Sequence, residues 1–242
     1  MNDFTKSLVW LSMALFLTLG NAQEATVAKK RNVALFVYDG MEVLDFGGPA
    51  EVFAVASIKT NSGKWVAPFN VYTVALTTEP ITSQGFVKIQ PNYSIRNCPK
   101  PDILVVPGGA TSTSRKTPEV IEWIKNSSKT TEVIMSVCTG AFLLGDAGLL
   151  IDQKATTWYG SIPRFRETYK NTEVLENVRF VDNGKIVTTA GVSAGIDGAL
   201  HIVQRLISKK AAKETATYME YDKWQADMGY VTREQKNLPK KR

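Results

Sequence analysis

The apolar positions of this chain fall into short unbroken runs closed by turn residues. Asn32-Val-Ala-Leu-Phe-Val-Tyr38 stops at Asp39-Gly40, Asp102-Ile-Leu-Val-Val106 at Pro107-Gly108-Gly109, and Glu132-Val-Ile-Met-Ser-Val137 at Cys138-Thr-Gly140. Asn70-Val-Tyr-Thr-Val-Ala-Leu76 reads as a further strand, second in chain order. A strand covered on one face alternates apolar and polar residues, whereas a strand covered on both faces is apolar throughout, as in buried parallel sheets. Helical stretches separate the runs. Gly48-Pro49 opens one over Ala50–Ser57, because proline suits a first helical turn. Thr117, followed by Pro118, caps a second that reaches Lys125. A third runs from Ala141 to about Leu149. This alternation predicts an α/β fold with a mostly parallel sheet and helices on both faces.

Farther along the patterns are weaker. Gly85–Ile95 reads as a hairpin or short excursion and Ala155-Thr-Thr157 as a short strand. Val178–Thr189 reads as a hairpin turning at Asp182-Asn-Gly184. Ala194–Ile207 and Lys213–Tyr221 have helical spacing. No repeat or linker divides the chain, so one domain is expected over 32–224, followed by a polar extension over 225–242.

The first residues change the picture of where this domain works. Lys6 precedes an apolar run from Leu8 to Leu19, and small residues follow at Gly20 and Ala22. That is the layout of a signal peptide over 1–22, too short for a comfortable membrane span. The mature chain is expected to begin at Gln23, to be exported to a periplasmic or extracellular setting, and to have no membrane attachment after cleavage. The net charge is +6, but the basic residues are scattered apart from short runs such as the terminal Lys240, Lys241 and Arg242. No basic run is interleaved with aromatics, so nucleic acid is not an expected partner.

Two cysteines are present, Cys98 and Cys138. Cys98 would open its strand and Cys138 would close another, which sets them too far apart for a disulfide. Cys138 stands where a buried strand turns sharply into a helix, the cysteine analogue of a nucleophile elbow. The amides at the start of that helix are expected to favour the thiolate and lower the thiol pKa, with Gly140 keeping the crowded turn open. The amides of Gly108 and Gly109, with that of Thr139, are candidate oxyanion donors; the Gly-Gly pair also reads simply as a turn. Asp45 and Glu51 follow the first strand. Asp45 is either a proton shuttle for the thiol or a capping carboxylate, and Glu51 either a second such candidate or a structural group. Cysteine hydrolases pair the thiol with a histidine, but the one histidine, His201, lies on a late helix and reads as packed or surface-exposed. No cluster has metal-ligand spacing.

Together, Leu44-Asp-Phe-Gly-Gly-Pro-Ala-Glu-Val-Phe53, Asp102-Ile-Leu-Val-Val-Pro-Gly-Gly109, Ser136-Val-Cys-Thr-Gly-Ala-Phe-Leu-Leu-Gly145, Ala147-Gly-Leu-Leu150, Ala155-Thr-Thr157 and Thr189-Ala-Gly-Val-Ser-Ala-Gly-Ile-Asp197 resemble the ThiJ/PfpI superfamily, relatives of the class I glutamine amidotransferases. The resemblance runs from Asn32 to about Leu206. It implies a flavodoxin-like three-layer sandwich, a homodimer, a small-molecule substrate and no cofactor. The isonitrile hydratase branch is the most similar. It implies Cys138 as nucleophile and Asp45 as proton shuttle in adding water to an isonitrile, with the amides of Gly109 and Thr139 helping to hold the site. Trp158 stands where many relatives have a histidine, and Gly47 where the hydratases often have threonine. These departures leave open a glyoxalase-like or deglycase-like activity on reactive carbonyls, or a non-catalytic thiol-stress or ligand-binding role.

Overall fold

The computed structural model describes residues 30–232; the expected signal peptide and residues 233–242 of the expected extension lie outside them. The strands are β1 (Arg31–Phe36), β2 (Ile58–Lys59), β3 (Trp65–Val66), β4 (Phe69–Ala75), β5 (Ile81–Ser83), β6 (Val87–Ile89), β7 (Tyr93–Ser94), β8 (Ile103–Val106), β9 (Val133–Ser136), β10 (Lys154–Ala155), β11 (Glu173–Val174), β12 (Phe180–Asp182), β13 (Ile186–Thr189) and β14 (Tyr230–Val231). The helices are α1 (Val43–Val55), α2 (Ser112–Arg115), α3 (Pro118–Ser128), α4 (Gly140–Asp146), α5 (Ile162–Thr168), α6 (Ala194–Leu206) and α7 (Lys209–Tyr218).

Eight strands form the main sheet in the order β14-β12-β13-β9-β8-β1-β4-β7. Every neighbouring pair is parallel except β12 with β13. The continuous apolar runs are explained by what covers them. Ala34, Phe36, Leu104, Val106 and Ile134 face one layer with Val120, Ile124, Phe142 and Phe165. Val33, Leu35, Ile103, Val105, Val133 and Met135 face the other with Val52, Phe53, Leu200, Val203 and Ala212. Each large aliphatic chain so buried stabilises the fold by about 1.5–3 kcal/mol relative to exposure. The alternation ends at the elbow, where Met135, Val137 and Cys138 all fall in the second layer. This is an α/β sandwich with a mostly parallel central sheet, as the sequence pattern predicts.

Several elements differ from expectation. Helix α1 starts at Val43, not Ala50, and contains Pro49. Proline's fixed φ is compatible with a helix, and its missing N–H costs only the bond to the Asp45 carbonyl four residues back. Packing on α6, where a Cβ on Gly48 would lie 2.8 Å from Ile196 Cγ1, holds the helix through that gap. The excursion near Gly85 is a β5–β6 hairpin, with β7 paired separately to β4. Helices α2 and α5 had no sequence signal. The stretch after Trp224, expected as a loose extension, adds β14 to the sheet edge, and Thr232 N–H donates to the Asp182 carbonyl at 3.0 Å. Such pairing uses backbone groups, so side-chain polarity does not reveal it.

Candidate functional site

Parallel strands β1, β8 and β9 end at one edge of the sheet, and the loops beyond them converge. Cys138 leaves β9 with φ +55°, a left-handed conformation that costs a side-chain-bearing residue about 1–3 kcal/mol. Neighbouring elements enforce it. Its N–H donates to the Ala190 carbonyl at 3.0 Å, and its carbonyl accepts from Thr157 Oγ1 at 2.7 Å. Gly140 is required where α4 begins, because a Cβ there would lie 2.1 Å from the Val106 carbonyl oxygen.

Asp45 occupies the first turn of α1 and is fully buried. Its Oδ2 accepts from the Gly108 N–H at 2.8 Å. Among the described residues its Oδ1 has no hydrogen-bond partner, although the Cys138 thiol and the Val192 amide stand close enough to favour its ionised form. Burial lifts the carboxyl pKa to about 7. The Gly108 amide opposes this, the Glu42 charge adds to it, and Cys138 and Val192 oppose it more weakly. Burial also lifts the Cys138 thiol to about 12, helped by the Asp45 charge and opposed by the amide and hydroxyl of Thr139 and the amide of Val192. This corrects the expectation of a depressed thiol pKa. Helix α4 has only seven residues, and its field is outweighed by desolvation and a neighbouring carboxylate. The resting sulfur is a thiol beside a carboxyl group whose pKa burial has raised toward neutrality.

The expected oxyanion donors also need correction. The Gly108 amide is committed to Asp45, and the Gly109 amide donates to Thr139 Oγ1 at 3.0 Å. Thr139 Oγ1 in turn donates to the Gly109 carbonyl at 3.1 Å. The glycines instead let three loops meet. A Cβ on Gly108 would be 2.6 Å from Thr139 N, and one on Gly109, at φ +108°, would be 2.5 Å from Glu42 N. The donors that face the sulfur are the amides of Thr139 and Val192. Val192 was not singled out from the sequence. It is a β-branched residue at φ +51°, a genuine outlier, and its only signal was the glycine-rich segment around it.

Trp158 is partly exposed, with its indole packed over Gly191 and Gly160: a Cβ on Gly191 would lie 2.5 Å from Trp158 Cδ1. Tyr38 supports the site from below, its hydroxyl lying 2.9 and 2.8 Å from the Pro107 and Gly108 carbonyls. Glu51 is exposed on α1, away from the thiol. Cys98 and Cys138 are both free thiols. His201 is packed, as one of the two readings held. Its Nε2 lies 2.6 Å from Asp182 Oδ2 and its ring stacks on Phe180. Asp182 ends β12, two strands from β9 and antiparallel to β13, so this pair does not reach the elbow.

The DJ-1/PfpI family profile matches residues 31–205, which span β1 through α6 and every residue of the pair and its loops. The chain belongs to the DJ-1/PfpI family. Within it, the chain is 28% identical to an isonitrile hydratase of Pseudomonas putida over 193 residues, 78% of each protein. A ThiJ/PfpI protein of Pseudomonas syringae superposes with a TM-score of 0.70 at 27% identity, covering 84% of each chain. Drosophila melanogaster DJ-1beta superposes with a TM-score of 0.67 at 19% identity, covering 79% of this chain and 98% of its own, a likeness of fold alone. A DJ-1/PfpI chain with a carboxyl group against the elbow cysteine, and its histidine engaged elsewhere, has the equipment for thiol addition followed by proton transfer.

Proposed function

We propose that this protein is a cysteine-dependent hydro-lyase that adds water to isonitriles to give N-substituted formamides, with Cys138 as nucleophile and Asp45 as proton shuttle. The observation that carries this reading is a fully buried carboxyl group beside the elbow thiol, with no histidine at hand. In the first step the Cys138 proton passes to the Asp45 carboxylate as sulfur bonds to the terminal isonitrile carbon, and Asp45 returns the proton to that carbon. The product is a thioimidate, R–N=CH–S. In the second step Asp45 takes a proton from water as the oxygen bonds to the same carbon, and passes it to nitrogen. The C–S bond then breaks, the hydroxyl proton returns to sulfur by way of Asp45, and R–NH–CHO leaves.

Both groups are pushed up by burial, and the thiol stays the weaker acid, so moving its proton to Asp45 is uphill on its own and is coupled to C–S bond formation, with no preformed thiolate needed. The amides of Thr139 and Val192 would hold the charge that develops on sulfur. The apolar run before Ala22 supports export as the setting, and family resemblance supports a homodimer.

The test is incubation of the purified protein with cyclohexyl isocyanide. N-cyclohexylformamide should form, and Cys138→Ala should abolish it. Absence of formamide from several isonitriles would discard the reaction. Lactate from methylglyoxal would instead assign the site to reactive carbonyls.

A further inference from the structure

Tyr38 follows β1 and is buried, its ring packed on Phe36 with 5.5 Å between centroids. Its hydroxyl lies 2.9 Å from the Pro107 carbonyl oxygen and 2.8 Å from that of Gly108. The two acceptors differ in need. The Gly108 carbonyl also accepts from the Glu42 N–H at 3.0 Å, whereas among the described residues the buried Pro107 carbonyl has Tyr38 as its one hydrogen-bond donor. A buried carbonyl without a donor is rare and costly, so the hydroxyl proton is needed on Pro107. The Pro107 carbonyl and the Gly108 N–H are the two ends of one peptide group, and that N–H donates to Asp45 Oδ2 at 2.8 Å. A continuous chain therefore runs from the Tyr38 hydroxyl, through a peptide bond, to the Asp45 carboxyl group. Peptide resonance couples its two ends. Donation to the carbonyl draws electron density from the nitrogen, and hydrogen bonds in series strengthen one another. Burial, with the charges of Asp45 and Cys138, holds the phenol well above its ordinary pKa, so it remains a donor wherever Asp45 titrates.

We propose that Tyr38 is a positioning residue that acts through the Pro107–Gly108 peptide to strengthen the Gly108 hydrogen bond to Asp45, and so sets how firmly that acid holds its proton. The claim rests on the hydratase reading only for its effect on turnover. Glu42 and Cys138 are the other titratable groups that act on Asp45, the first by its charge and the second by its thiol. The elements packed on α1 add none. Helix α6 meets it through Gly195 and Ile196, against Pro49 and Gly48, and its buried Asp197 and His201 are engaged by Arg179 and Asp182. Helix α7 buries Ala211, Ala212, Thr215 and Ala216, and β4 meets α1 through Phe69 on Phe53.

The experiment follows the Asp45 carboxyl carbon by NMR across pH in protein labelled with carbon-13 at aspartate, the signal being assigned by its loss in Asp45→Asn. Tyr38→Phe removes one oxygen and keeps the ring. It should raise the Asp45 pKa by about 0.5, since the Gly108 amide becomes a weaker donor to the ionised form. On the hydratase reading the rate near pH 6 should then fall about threefold, with the ionised fraction. Placing 3-fluorotyrosine at position 38, a more acidic phenol and a stronger donor, should move the Asp45 pKa downward, which tests the assignment even where Tyr38→Phe fails to fold. Tyr72→Phe is the control. Its hydroxyl donates to the Pro99 carbonyl at 2.6 Å, a bond of the same kind that does not lead to Asp45, so its loss should leave the Asp45 pKa within about 0.1 of wild type. An Asp45 titration unmoved by the changes at Tyr38, or moved equally by Tyr72→Phe, would overturn the assignment. The two claims fail separately. If Tyr38→Phe raises the Asp45 pKa and no isonitrile is consumed, the Tyr38 assignment stands and the hydratase reading fails. If isonitriles are consumed and the Asp45 titration ignores Tyr38, the assignment fails and the hydratase reading stands.

Discussion

Asp45 and Asp182 are both fully buried, yet they are driven in opposite directions. At Asp182 burial pushes the carboxyl pKa upward, but the His201 hydrogen bond and the Arg205 charge outweigh it and hold the group below its ordinary value. Arg205 Nη1 lies 2.8 Å from both of its oxygens, and the Gly184 amide donates to one of them. Among the described residues Asp45 has one direct amide partner, no cation, and an oxygen without a bond, so desolvation prevails. The comparison teaches that burial by itself does not make a carboxylate reactive. Withholding its partners does. The histidine and arginine that would neutralise a buried acid are used at the far end of the sheet, where they lock β12 to α6. The acid at the elbow is left to exchange its proton near neutral pH.

This contrast is open to attack at several strengths. The largest effect should follow Asp45→Asn, which keeps the acceptor for Gly108 but cannot carry a proton. Formamide production should fall by about 10³-fold or more, and the wild-type rate should rise with pH through about 7 as the carboxylate forms. A residual rate within tenfold of wild type would remove Asp45 from the chemistry. At the other carboxylate, Asp182→Ala should leave His201 and Arg205 unmatched and cost about 3–5 kcal/mol in denaturant unfolding, with kcat preserved in the folded fraction.

Asp45→Asn should do the reverse to stability. A carboxyl raised from 3.8 to about 7 stabilises the fold while protonated, and that contribution is lost as pH rises through about 7. The variant should therefore match wild type below about pH 4, gain on it progressively as pH rises from there to about 7, and exceed it by up to about 4 kcal/mol at about pH 8. The smallest effect is expected at Val192. Replacement by glycine, which accepts φ +51° without strain, should add about 1 kcal/mol to stability.

The same physics sets how much of this was readable beforehand. Strands β1, β8 and β9 were legible because burial on both faces keeps their inner residues almost wholly apolar, and β4 because Val71, Tyr72, Val74 and Ala75 leave Thr73 as the one polar residue inside its run. The elbow was legible because Cys138-Thr-Gly140 places a thiol between strand and helix signals. Asp45 was singled out as a loop residue but stands on α1, since Pro49 concealed that helix's early start. The use of the Gly108 and Gly109 amides depends on which loop each one meets across the sheet edge, and sequence spacing does not encode that. Val192 escaped notice because its importance lies in a backbone amide and a strained φ, neither of which its side chain signals. The thiol pKa was misjudged because the helix amides are visible in the sequence and the desolvation is not.

The central claim is that the elbow holds a protonated thiol whose proton is governed by Asp45. Ultraviolet thiolate absorbance, titrated in a Cys98→Ser background with and without Asp45→Asn, tests it most directly. The account predicts no thiolate at neutral pH, an onset well above about 8.5, the ordinary cysteine value, and a lower onset once the Asp45 charge is removed. Thiolate already present at neutral pH, with a titration unmoved by Asp45→Asn, would contradict it.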